Sequence, residues 1–174
     1  MTVADSRRAE AEVVDTNVLV AANARDTHAS PVCSRACKDA LVTIQRSKRV
    51  VLDDGRRILK EYLANASSSG QPGVGDAFLL WVLRNQANRR HCEQVTITPR
   101  AGADDNFEEF PIDPDLAGFD RADRKFVAVA LASNHQPAVL NATDTDWYHH
   151  REALGRYGLR ITFLCPELMH AART

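Results

Sequence analysis

Five acidic side chains in this 174-residue chain stand where a carboxylate can do chemistry. Asp15 interrupts the apolar run VVDTNVLVAA, residues 13–22, and Thr16 and Asn17 follow at once. Glu61 lies in ILKEYL, Asp123 in FDRADRKFVAVALA, and Asp144 and Asp146 in VLNATDTDW. An ionised carboxylate is expensive to bury unpaired. Several brought together repel, and their pKa values rise unless a cation joins them. Carboxylate oxygens suit hard ions such as Mg²⁺ or Mn²⁺, which keep waters and share their shell with substrate phosphates. The chemistry expected of such a set is hydrolysis of a phosphate ester, with a metal-activated water attacking and metal charge stabilising the leaving oxygen.

Each acid also has a purely structural reading. Asp123 can favour a helix N-terminus, with Asp120 as the N-cap itself. A hydrophobic staple there fails, because Phe119 faces Arg124 rather than an apolar partner. Glu61 can be an exposed helix residue near Arg57 and Lys60, and Asp144 and Asp146 can be turn residues. Asp15, at the end of an apolar strand, is hardest to explain that way. The joint pattern is less readily accidental than any single member.

The elements that must position these acids alternate. Strands are expected at 12–15, 49–53, 93–98, 137–142 and 159–164. Helices are expected at 31–47, with Ser30 as N-cap and Pro31 at its first position, and at 55–66. A helix over 76–91 is capped by Asp76, one at 120–134 is buried almost all round, and a short one covers 147–158. Residues 67–75 and 99–119 read as loops, the second acidic and rich in proline and glycine. Alternating strands and helices predict βαβ units and a mainly parallel sheet covered on both faces, within one domain spanning 1–174. In such sheets ligands bind beyond the carboxyl ends of the strands, which is where the acids fall.

The four segments, in this order over residues 13–147, resemble the motifs of the PIN-domain nucleases. The resemblance implies a Rossmann-like three-layer α/β/α fold and a divalent-metal-dependent endoribonuclease. It implies Asp15, Glu61, Asp123 and Asp144 as the catalytic, metal-holding acids, with Asp146 as a fifth metal ligand. Asn17 and Thr143 match polar residues that support such a site, and Trp147 stands where the family usually has Phe, so its ring is expected to pack in the core. Many small members are toxins, which implies an antitoxin protein as a partner. Residues 99–119 are longer than a minimal PIN domain needs. Two alternatives stay open: a catalytically weak RNA- or protein-binding module, and a structure-specific DNA nuclease. A phosphatase of the haloacid-dehalogenase type needs an Asp at position 17, where this chain has Asn17. The lysine that a receiver domain needs has no match.

Lys plus Arg is 22 and Asp plus Glu is 23, which excludes a polycation that coats nucleic acid. Substrate contacts are expected instead from Arg57, Arg124 and Lys125 beside the acids. Aromatic residues are 6% of the chain, too few for an extended base-stacking platform. His149 and His150 read as surface-helix residues. No apolar run approaches a membrane span, and the polar start MTVADSRRAEAE lacks a signal peptide's apolar segment, so a cytoplasmic location is expected. The cysteines at 33, 37, 92 and 165 are expected as reduced thiols. Zinc at Cys33, Cys37 and His28 lacks a second ligand pair. Helices 31–47 and 76–91 offer a surface for a homodimer.

Overall fold

A computed structural model describes residues 10–171; the start of the polar N-terminal stretch lies outside them. Seven strands are present among the described residues: β1 (Ala11–Val14), β2 (Arg49–Asp53), β3 (Cys92–Val95), β4 (Pro99–Arg100), β5 (Ala103–Phe107), β6 (Ala138–Asn141) and β7 (Arg160–Phe163). The α-helices are α1 (Thr16–Ala22), α2 (Pro31–Ser47), α3 (Arg57–Asn65), α4 (Val74–Asn85), α5 (Arg124–Ala132), α6 (Asp146–His149), α7 (Arg151–Gly155) and α8 (Pro166–Ala171).

Five strands form one all-parallel sheet in the order β3-β2-β1-β6-β7. The central strands are apolar on both faces: Val13, Val14, Val50, Val51 and Val139 are fully buried. The helices flank this sheet, giving the expected three-layer α/β/α arrangement. α5 lies across β2, β1 and β6, while α1, α2 and α4 pack on one another. From β1 the chain winds outward to β2 and β3, then returns to the other side of β1 with β6. The switch point of the topology therefore lies between β1 and β6. Crevices open at the carboxyl ends of strands at such points.

Several boundaries differ from the sequence expectation. Thr16–Ala22 is a helix, where the run TNVLVAA carries no local helix signal; burial of Val18, Leu19, Ala21 and Ala22 against the α2 and α4 layer outweighs β-branched propensity. α4 begins two residues before Asp76, whose carboxylate accepts from the amides of Gly73 (2.9 Å) and Ser67 (2.7 Å) and from Asn23 Nδ2 (3.1 Å). It ends at Asn85 rather than 91. Part of the acidic 99–119 loop is the antiparallel hairpin β4–β5. The helix expected at 120–134 opens with a 3-10 turn, Arg121–Asp123, before α5. α8 was not expected at all. α2 and α4 pack on each other and on α1.

The thiol expectation is corrected. Cys33 on α2 and Cys165 before α8 form a disulfide, because the fold brings together residues 132 apart in sequence, their Cα atoms 5.1 Å apart. Cys37 and Cys92 are free and buried, and burial pushes each thiol up to about 12. No helix among the described residues is long and apolar enough to cross a membrane.

Candidate metal centre

At the carboxyl end of β1 the chain leaves the sheet and turns directly into α1. Asp15 is the N-cap: its Oδ1 accepts from the Asn17 amide (3.2 Å). Its Oδ2 accepts from the Trp147 indole Nε1 (2.7 Å). Its own amide donates to Leu140 O (3.1 Å), tying the end of β1 to β6. Asp123 closes the 3-10 turn ahead of α5, and Asp144 sits on the loop after β6. These three acids converge, each offering an oxygen within 4.8 Å of the others. Asp15 and Asp123 are buried and Asp144 is half-buried.

The electrostatics follow from that placement. Burial, opposed by the Asn17 and Trp147 hydrogen bonds and reinforced by the charges of Asp144 and Glu61, pushes Asp15 up to about 7. Burial first, then the Asp15 charge and a hydrogen bond to Asp144, pushes Asp123 far above the ordinary carboxylate range. Three carboxylates so close cannot all carry charge at neutral pH without a compensating cation. The donor set is all oxygen, partly fixed by neighbours, and it fits a hard dication of the Mg²⁺ or Mn²⁺ class.

Glu61 is close but outside this triad. Its Oε2 accepts from the Thr16 hydroxyl and its Oε1 from Lys125 Nζ at 2.9 Å. Lys125, expected to contact substrate, is thus committed to Glu61, and it also donates to Ala122 O. Asp146 lies outside the converging set. Its Oδ2 accepts from the Asp120 amide (2.9 Å) and its Oδ1 faces His150 Nδ1 at 3.2 Å, while its amide donates to Asp144 Oδ1 (2.9 Å). Its amide helps to position Asp144, and its own oxygens are not in the converging set.

Of the two residues expected to support the site, Asn17 hydrogen-bonds toward the Asp144 loop. Its Nδ2 donates to Asn141 Oδ1 (2.9 Å) and its Oδ1 accepts from the Ala142 amide (2.9 Å). Asn141 in turn donates to Asp144 O (3.0 Å), so a side-chain ladder runs from α1 to the Asp144 loop. Thr143 instead donates to Asp26 Oδ2 (2.7 Å), on the far side of that loop. Thr16, Asn141 and the indole N–H of Trp147 were not singled out from sequence. Asn141, a polar residue closing the apolar strand AVLN, carried the legible signal; the Trp147 ring packs edge-on to Phe119 as expected, but its N–H has the additional partner.

Arg124 is corrected most sharply. It is buried, donates to Phe119 O, Ala117 O and Asn106 Oδ1, and stacks over the Phe110 ring at 4.6 Å. It organises the 106–119 segment and is only 8% exposed. Arg57 is half-buried, 3.7 Å from Asp53 and 5.4 Å above the Phe107 ring. It opens onto a cleft of about 310 Å³ beside Glu61, shared with Lys60, Arg121 and the hairpin's Asp105. Arg121 pairs there with Asp105 at 3.0 Å. Asp53 also ends a strand, yet it only caps α3, accepting from the amides of Arg57 and Ile58. Comparison with family models, with curated proteins and with solved structures returned no match.

Proposed function

We propose that this chain is a metal-dependent phosphodiesterase, an endoribonuclease of the PIN type, with Asp15, Asp123 and Asp144 as its metal-holding acids. The observation that carries the reading is the convergence of those three side chains, from three separate parts of the chain, within 4.8 Å at the switch point of a parallel sheet. A bound hard dication supplies Lewis-acid polarisation of a phosphodiester and offsets the charge that develops on it.

The chain's own residues then do four things. Trp147 and the Asn17 amide fix both oxygens of Asp15. The Asn17–Asn141 ladder fixes the loop that carries Asp144. Lys125 screens Glu61, lowering the repulsion an incoming phosphate meets. Arg57, Lys60 and Arg121 line the adjoining cleft and offset backbone phosphates, which favours reading by charge over base stacking. The resemblance to the PIN-domain motifs carries forward an antitoxin protein as partner.

A second reading, an RNA-binding module with little catalysis, is favoured by one observation: both Glu61 oxygens are already engaged, by Thr16 and Lys125. One assay separates these readings. End-labelled single-stranded RNA, and DNA of the same sequence, are incubated with and without Mn²⁺. The nuclease reading expects Mn²⁺-dependent RNA cleavage that falls at least about 100-fold in Asp15→Asn. Binding without cleavage supports the module, and preferential DNA cleavage supports a DNA nuclease.

A further inference from the structure

A second cluster of ligating side chains lies away from the acids. Cys33 and Cys37 occupy successive turns of α2, on one helix face. The fold adds Cys165, at the junction of β7 and α8. The three sulfurs lie within 4.8 Å of one another, and none of the three residues is exposed. The sequence offered the pair on α2 with His28 nearby; the third sulfur comes from the far end of the chain. In the structure two of the sulfurs are joined and the third rests beside them. Asp26 and Glu167 both act electrostatically on Cys37, so the surroundings favour positive charge.

We propose that Cys33, Cys37 and Cys165 form a site for a thiophilic cation of the zinc class, available when the disulfide is reduced and closed when it is formed. Thiolates select such cations over the hard ions suited to the acidic triad. Reduction by a dithiol transfers two electrons and two protons to the Cys33–Cys165 bond and leaves the reductant as its own disulfide. Cation binding then releases the protons of the three thiols. Entry needs only local opening of α8, a six-residue helix. α8, which follows Cys165, reaches the ladder beside the acids: Met169 accepts from Asn141 Nδ2 at 3.9 Å, and the same nitrogen donates to Asp144 O.

The test is a Cd²⁺ titration of the full chain, reduced and oxidised, followed by the thiolate-to-cadmium charge-transfer absorption. Carboxylates give no such band, so the acidic triad does not contribute. The reduced parent is expected to develop the band to saturation at one cation per chain, and the oxidised parent to show none. Cys37→Ser is expected to lose most of it, whereas Cys92→Ser, a change at an equally buried cysteine outside the cluster, is expected to keep it. Zinc content after dialysis of the reduced and oxidised parent decides the matter if Cys37→Ser does not fold. A reduced parent without the band, or one that retains no more zinc than the oxidised form, overturns the proposal.

Discussion

Asp15 is buried and accepts hydrogen bonds on both oxygens, yet burial still lifts it from 3.8 to about 7. A carboxylate that ionises more easily unfolded than folded gives a metal-free protein whose stability is fullest at low pH. That stability is lost as pH rises from 3.8 through about 7. Asp15→Asn removes the titration, so its melting temperature in chelator is expected to match the parent's near the bottom of that window and exceed it at the top. A constant gap across the window would mean that Asp15 does not carry this titration. Trp147→Phe keeps most of the ring and deletes the indole donor. It is expected to cost roughly 1.5–3 kcal/mol in urea denaturation, the range for a hydrogen bond to a charged group. Arg124→Ala strands several carbonyl oxygens and is expected to destabilise by about 2–3 kcal/mol, with loss of order in the 106–119 segment.

At the scale of elements, the cleft beside Glu61 is walled by the β4–β5 hairpin and by the turn ahead of α5. Arg121 is exposed, so Arg121→Ala is expected to leave the melting temperature within about 1 °C, in line with small effects at surface positions. It is expected to weaken single-stranded RNA binding and flatten its salt dependence by about one phosphate contact, read by fluorescence anisotropy over a salt series. An unchanged salt slope would remove Arg121 from the path of the substrate. The central strands β1, β2 and β6 were legible because they are short apolar runs closed or followed by a polar residue, and α2 because Ser30 and Pro31 announce its start. α1 was not legible: its residues favour a strand locally, and only packing against α2 and α4 makes it helical. Asp15, Asp123 and Asp144 could be found because each directly follows an apolar element or opens one. The partners of Asp146 and Arg124 were not legible, for one shared reason. Sequence distance from a site acid says nothing about which way a side chain leaves a turn, and both are drawn off by nearby backbone groups. Cys165 shows the same limit at long range, since nothing near it in sequence reveals Cys33.

Across the whole molecule, the topology does two jobs. The switch between β1 and β6 gathers the acids at the carboxyl end of the sheet. The Cys33–Cys165 bond closes a loop of 132 residues around most of that sheet. Reduction is expected to lower stability by roughly 2–5 kcal/mol, measured as a shift in urea midpoint between oxidised and reduced protein without added metal. The site's own stiffness does not depend on that bond alone, because β1 and β6 are also joined by the Asp15 amide and the Asn17–Asn141 ladder.

If Asp15, Asp123 and Asp144 together hold a hard dication, calorimetric titration of Mn²⁺ into the parent and into Asp123→Asn at neutral pH reveals it. One site per chain in the parent, weakened at least about 10-fold in the variant, is the expected result. Equal Mn²⁺ binding by the two proteins, or none by the parent, would contradict it.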